Sequence, residues 1–149
     1  MADKHFDRNE AEALLPVIGR YLGEAVEWKK LIEEIDAAMS RAIAKIMALG
    51  GSIPPSAELG RKKALREQHL ASLQGTLEEI QQTGCVVKDL DMGLVDFPSM
   101  LNGQEVYLCW KLGEKHIAYY HGMDEGYSAR KPLDELPDDE PPLGGSRPH

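Results

Sequence analysis

The sequence predicts an α+β protein: a long antiparallel helical hairpin, coiled-coil-like, followed by a small antiparallel β-rich unit and a disordered acidic tail. An unbroken heptad-type stripe of apolar residues in the first third indicates the hairpin. Six of the nine aromatic residues lie between positions 97 and 127, among short alternating runs typical of strands. The last 18 residues are acidic and rich in proline. The predicted boundaries are 1–84, 85–131 and 132–149.

The first helix is predicted by ten apolar residues in 4-3-4-3 spacing, the pattern of a helix packed lengthwise on a partner. They are Leu14, Ile18, Tyr21, Ala25, Trp28, Ile32, Ile35, Met39, Ala42 and Ile46. The start has the signature of a capping box, Asp7 with Glu10, and of a hydrophobic staple, Phe6 with Ala11. Since proline disrupts a helix interior, Pro16 predicts a kink near Leu14 or a separate short helix.

A second helix is expected from about Ser56 to Thr83, between Gly50-Gly51 and a C-terminal stop at Gly84. Its inward residues are predicted to be Leu59, Leu70, Leu73, Leu77 and Ile80. Folded back on the longer first helix, it ends opposite roughly Leu22. Residues 6–22 therefore extend beyond it, and Leu15 and Leu22 widen their apolar face for packing on a small sheet.

The β-rich unit is predicted to begin with short strands at Val86-Val87 and Leu94-Val95. Residues 105–111 and 116–121 then form a hairpin around Gly113-Glu114. Alternation in the first of these strands places Val106, Leu108 and Trp110 on one face. Glu105, Tyr107, Cys109 and Lys111 occupy the other face.

The composition and charge of the chain argue against several classes of function. The net charge of −8 argues against nucleic-acid binding through a basic surface. No apolar run approaches the length of a membrane span, and no secretion signal is evident, so we expect a cytoplasmic protein. Cys85 and Cys109 lie in apolar surroundings and are predicted to be buried hydrophobic residues, not disulfide partners. The acidic tail could dock on a basic partner, but a solvated segment is the more common case.

Several motifs resemble one family. They include Gly93-Leu94-Val95-Asp96-Phe97-Pro98, and further matching segments lie at 9–16, 84–90, 105–110, 113–114, 117–121, 126–127 and 130–133. Together they make the chain similar, over about residues 5–133, to an uncharacterised bacterial family, domain-of-unknown-function family 2203. The family usually has Tyr-Trp-His at Tyr119-Tyr120-His121 and often glycine at Ala129. The resemblance implies no particular activity, because the family has no established function to carry over.

A metal site is one functional hypothesis. The candidate ligands are Asp96, Glu105, His121 and Asp124, whose oxygen and nitrogen donors suit zinc or manganese. A divalent ion held by His121 and Asp124, with Asp96 or Glu105, would activate a water molecule for hydrolysis. The alternative is a strand-end histidine hydrogen-bonded to a neighbouring carboxylate or loop amide.

A small-ligand pocket is a second hypothesis, with Lys88, Trp110 and Arg130 as binding residues. Arg130 would hold a carboxylate or phosphate through two hydrogen bonds, and Trp110 would stack on a ring. Alternatively, Trp110 lies in the core and Arg130 pairs with Asp124 or Glu125. No Cys-x-x-Cys motif and no evident histidine partner support a cysteine nucleophile.

The favoured function is a non-catalytic cytoplasmic interaction or oligomerisation module. An isolated hairpin would leave much of the apolar stripe exposed, so we expect a homodimer or higher homo-oligomer formed through the helices. Another protein is a further candidate partner. The alternative is a small metal- or ligand-dependent enzyme, hydrolase-like, with its site around His121 and Asp124. The outline is also similar to transcript-cleavage factors of RNA polymerase, but Glu58 is the single carboxylate near the hairpin tip, and cleavage is not expected.

Overall fold

The computed structural model describes residues 4–50 and 57–133, and shows two helices followed by a five-stranded antiparallel sheet. The helices are α1 (Arg8–Ala48) and α2 (Ala57–Gln82). The strands are β1 (Val86–Asp89), β2 (Leu94–Leu101), β3 (Gln104–Lys111), β4 (Tyr119–Gly122) and β5 (Lys131–Pro132). A short 3-10 helix, Tyr127–Ala129, precedes β5. The predicted α+β class is confirmed.

The start of α1 follows the sequence prediction. The Asp7 carboxylate accepts a hydrogen bond from the Glu10 backbone at 2.7 Å, and the Glu10 carboxylate accepts one from the Asp7 backbone at 2.9 Å. Phe6 and Ala11 are both buried in the core. The prediction of a separate short helix was wrong, because α1 runs unbroken through Pro16. The proline ring lies on the exposed side of α1, while its neighbours Leu15 and Ile18 are held in the core.

All ten residues of the apolar stripe are buried or half-buried, but beyond Ile32 none of them is fully buried. The five residues predicted to face inward on α2 are also buried or half-buried. The helices contact each other through the Trp28 and His69 rings, whose centroids are 5.2 Å apart, and through an ion pair between Asp36 and Arg66. Within the part of the chain that the structure describes, no helix is long and apolar enough to cross a bilayer.

The sheet is a simple meander in which each strand pairs with the next along the chain. β2 is longer than predicted, because a two-residue turn at Asn102-Gly103 joins it to β3. Both turn residues have positive φ, 52° and 77°, which is typical of the tightest hairpin turns. The Asn-Gly pair is a strong sequence signal for such a turn.

The C-terminal strands also differ from expectation. β4 begins at Tyr119, three residues later than predicted, and β5 was not predicted. Pro132 pairs with Tyr119, and the Leu133 backbone donates to the Ala118 carbonyl at 2.8 Å. The predicted tail, 132–149, is therefore wrong at its start, because Pro132 belongs to the sheet and Leu133 to the core. The rest of the predicted tail, 134–149, lies outside the described residues, as do positions 51–56 at the predicted hairpin tip.

The core lies between α1 and one face of the sheet. Its helical side comprises Ala11, Leu15, Ile18 and Leu22. This agrees with the prediction that residues 6–22 extend beyond the second helix and pack on the sheet. Its sheet side includes Val95, Phe97, Val106, Leu108 and Trp110, so the predicted alternation in β3 is confirmed. The opposite face of the sheet, which we call the outer face, carries the alternate residues of the same strands. Three polar or thiol side chains there are as buried as the core.

Candidate functional site

Asp96, Cys109 and His121 form a buried cluster on the outer face, which we call the Asp–Cys–His cluster. Asp96 lies opposite Cys109 in the pairing of β2 with β3, and Tyr107 lies opposite His121 in the pairing of β3 with β4. Directly opposed residues point to the same face, so the register gathers the three side chains. Each residue is only 1% exposed, and their donor atoms lie within 4.8 Å of one another.

The hydrogen bonds of His121 fix the orientation of its ring. Nδ1 lies 2.9 Å from the carbonyl oxygen of Gly122. A carbonyl can only accept, so Nδ1 carries a proton and donates it. Nε2 lies 3.1 Å from both carboxylate oxygens of Asp96. One further proton is therefore shared between the imidazole and the carboxylate, as an ion pair or as a neutral acid–imidazole pair.

Burial governs the acid–base behaviour of the other two groups. It raises the pKa of Asp96, although the charge of His121 acts in the opposite direction. It also raises the pKa of Cys109 to about 11, and the negative charge of the Asp96 carboxylate adds to this effect. At neutral pH Cys109 is a thiol, and a thiol is a weak nucleophile.

The cluster does not have the geometry of a cysteine nucleophile with a histidine base. In such a pair an imidazole nitrogen faces the sulfur. Here one nitrogen of His121 is bonded to Gly122 and the other faces Asp96, so Asp96 lies at the centre of the cluster. The structure thus supplies the histidine neighbour that the sequence did not reveal, but in an arrangement that does not activate the thiol.

Arg130 borders the cluster and is strongly held. Its guanidinium makes two hydrogen bonds to the Glu114 carboxylate, at 2.9 and 3.4 Å, rather than pairing with Asp124 or Glu125. It stacks between the rings of Tyr119 and Tyr127, with distances to their centroids of 4.0 and 4.3 Å. One nitrogen lies 4.0 Å from the Cys109 sulfur. An anionic ligand would have to displace Glu114 to gain the same two hydrogen bonds.

The structure separates the predicted metal ligands. Asp96 and His121 are together in the Asp–Cys–His cluster. Glu105 instead forms an ion pair with His5, at 2.7 Å between Oε2 and Nε2. Asp124 is exposed and lies outside the metal-type group found among the described residues. Cys109 takes the third position, and sequence reasoning missed it as a ligand because the cross-strand register was needed to place it beside Asp96.

The predicted small-ligand residues lie on opposite faces of the sheet. Trp110 is in the core, 4% exposed, and its indole nitrogen donates to the Glu114 carbonyl at 2.9 Å. The Lys88 ammonium lies 5.2 Å from the ring of Tyr107, an outer-face residue. Arg130 stacks on Tyr119, also on the outer face. The three side chains therefore do not converge on one pocket.

Two cavities lie beside the sheet. One, of about 730 Å³, separates α2 from β1 and is lined by residues that include Gln74, Leu77, Glu78 and Lys88. The other, of about 470 Å³, lies between α1 and the β3–β4 connection, and its lining includes Arg20, Trp110 and His116. Neither is lined by a member of the Asp–Cys–His cluster.

Comparisons with known proteins agree with the resemblance seen in the motifs. The model of a family described as "Uncharacterized conserved protein (DUF2203)" matches residues 4–133. No curated protein and no solved structure matches the chain. The family match covers both helices and all five strands, including the cluster on the outer face. The chain therefore belongs to the DUF2203 family of uncharacterised conserved proteins.

Proposed function

We propose that this protein is a non-catalytic cytoplasmic interaction module that forms a homodimer through its helices. In this proposal α1 and α2 form an antiparallel, coiled-coil-like hairpin, and the hairpins of two copies pack into a four-helix arrangement. Two contacts support the antiparallel orientation, because Trp28 meets His69 while the later residue Asp36 meets the earlier residue Arg66. The two free, buried cysteines agree with a reducing compartment.

One observation carries the proposal: the distal parts of the two helices contain no fully buried side chain among the described residues. The last fully buried residue of α1 is Ile32, and Ile80 is the fully buried residue of α2. The intervening described residues, 33–50 and 57–79, still include many apolar side chains, such as Ile35, Met39 and Leu73. Two helices form a single layer, which leaves such a stripe half open to water. A second helical layer would cover it.

The charges of the two helices favour a second copy as the partner. Residues 24–36 of α1 include five acidic and two basic residues. Residues 61–66 of α2 include four basic residues and no acidic one. Arg66 pairs with Asp36 of its own chain, but in a two-fold arrangement the other basic residues of each copy, such as Arg61 and Lys63, can meet the acidic segment of the other copy.

The test is the molar mass of the full chain by light scattering coupled to size exclusion, at tens of micromolar. We expect twice the chain mass of 16.5 kDa. Ile43 is half-buried and Met47 is exposed, and they lie one turn apart on α1, beside the distal part of the apolar stripe. The double variant Ile43→Glu/Met47→Glu places two charges there and should give a monomer. The matched control is Ala37→Glu, an exposed position on the opposite side of α1, which should stay dimeric. A wild-type monomer, or a dimer unaffected by the double variant, would overturn the proposal.

A further inference from the structure

We propose that Asp96, Cys109 and His121 form a zinc site on the outer face of the sheet, one metal ion per chain. This inference does not depend on the proposed dimer. It replaces Glu105 and Asp124 of the sequence hypothesis by Cys109. The described residues supply three protein ligands, so a water or another ligand would complete a tetrahedral shell.

The donor set is the first argument. A thiolate, an imidazole and a carboxylate are all established zinc ligands, whereas magnesium and calcium prefer oxygen alone. In zinc sites of tetrahedral geometry, with bonds of about 2.0–2.3 Å, ligand atoms stand about 3.3–3.8 Å apart. The three donor atoms lie within 4.8 Å of one another, and the His121 and Asp96 donors are 3.1 Å apart. Shifts of about 1 Å or less would bring the donors to zinc spacing.

The orientation of His121 is the second argument. Ligand histidines usually donate their other ring N–H to a carbonyl or carboxylate, which fixes the tautomer. His121 does this with the Gly122 carbonyl, which leaves Nε2 turned toward the Asp96 carboxylate. Nε2 is also equally distant, at 3.1 Å, from both oxygens of Asp96. A direct charge-assisted hydrogen bond is usually shorter, about 2.7–2.9 Å to one oxygen.

Burial and charge balance are the third argument. Asp96 and His121 are each 1% exposed, and burying such a pair is costly unless strong interactions compensate for the lost hydration. With zinc bound, the Cys109 thiol and the Asp96–His121 pair would each release a proton, and the thiolate and carboxylate would balance the charge of the ion. Arg130 would not oppose the ion strongly, because its own charge is paired with Glu114 at 2.9 Å. The site would tie β2, β3 and β4 together.

The experiment uses the full chain without a histidine tag, treated with chelator and then titrated with zinc chloride or cobalt chloride. We expect about one zinc per chain by elemental analysis after dialysis, and with cobalt a sulfur-to-metal charge-transfer absorption. Cys109→Ser and Asp96→Asn should weaken zinc binding by on the order of a hundredfold or more, since even outer-shell changes cost 10–100-fold. Circular dichroism checks that each variant is folded.

Matched controls come from the same chain. Cys85→Ser alters the other buried cysteine, which is 2% exposed but lies outside the cluster, and should bind zinc like the wild type. His116→Gln alters an exposed histidine and should also leave binding unchanged, whereas His121→Gln should abolish it. Absence of stoichiometric zinc in the wild type would overturn the proposal. So would unchanged binding in Cys109→Ser, or an equal loss in Cys85→Ser. Light scattering with and without chelator measures the oligomeric state separately, so that failure of the zinc proposal is distinguished from failure of the dimer proposal.

Discussion

Replacing His121 by alanine tests whether the Asp–Cys–His cluster supports the fold in the absence of metal. The side chain is 1% exposed and faces both oxygens of Asp96 at 3.1 Å. Its ring also packs on Tyr107, with 5.5 Å between the ring centroids. Removing it leaves the buried Asp96 carboxylate and the Gly122 carbonyl without this partner.

The magnitude follows from these contacts. Removing one member of a buried ion pair costs about 3–5 kcal/mol, because the other charge stays buried without compensation. Asp96 can limit this cost by taking up a proton, which its raised pKa favours. We therefore expect His121→Ala to lower the free energy of unfolding by about 3 kcal/mol. The sequence predicted Asp124 as a metal ligand alongside His121, but Asp124 is exposed. Asp124→Ala should therefore change the free energy of unfolding by less than about 0.5 kcal/mol.

The assay is urea unfolding followed by circular dichroism, at pH 7 in excess chelator and at one protein concentration, since self-association shifts apparent stability. Asp96→Asn and the double variant complete a mutant cycle. Because the two residues act on each other, the loss in the double variant should fall short of the sum of the single losses by about 1–3 kcal/mol. A His121→Ala protein as stable as Asp124→Ala, or additive losses in the cycle, would refute the reasoning.

Further predictions concern the core, the thiols and a turn. The Ser99 hydroxyl is buried without a hydrogen-bond partner among the described residues, so Ser99→Ala should raise the free energy of unfolding by about 1 kcal/mol, measured in urea. Burial raises the pKa of Cys85 as well as that of Cys109, so a thiol reagent at neutral pH should react with neither in the native protein and with both in denaturant. The pKa of Cys109 in the folded protein, about 11, exceeds its ordinary value of 9.0. The contribution of the buried neutral thiol to the free energy of unfolding is therefore complete below pH 9.0 and is lost as pH rises through about 11, which thermal unfolding at graded pH should show. Gly93→Ala should cost about 2 kcal/mol in the same urea assay, because Gly93 has φ +69° and a Cβ there would stand 2.9 Å from the Leu112 Cβ; no loss would contradict that turn.

The elements that depend on local pattern were predictable from the sequence. The stripe from Leu14 to Ile46 gave the inward face of α1, and Asp7 with Glu10 gave its start. Alternation in β3 separated Leu108 from Cys109 correctly. Pro16 does not divide α1 into two helices, because the packing of its buried neighbours, such as Leu15 and Ile18, offsets the cost of a proline in the helix.

The cluster itself depended on the tertiary structure. Asp96, Cys109 and His121 are separated by more than ten residues each, and they meet because the register of β2, β3 and β4 places them on one face. Helical and strand periodicities are local, so a sequence reveals which residues share a face of one element. Which strands pair, and at which register, is decided by turns and by packing between distant segments. The sequence by itself thus determined the helices, their apolar stripe and the alternation of β3, whereas only the tertiary structure distinguished Asp96 from Asp124.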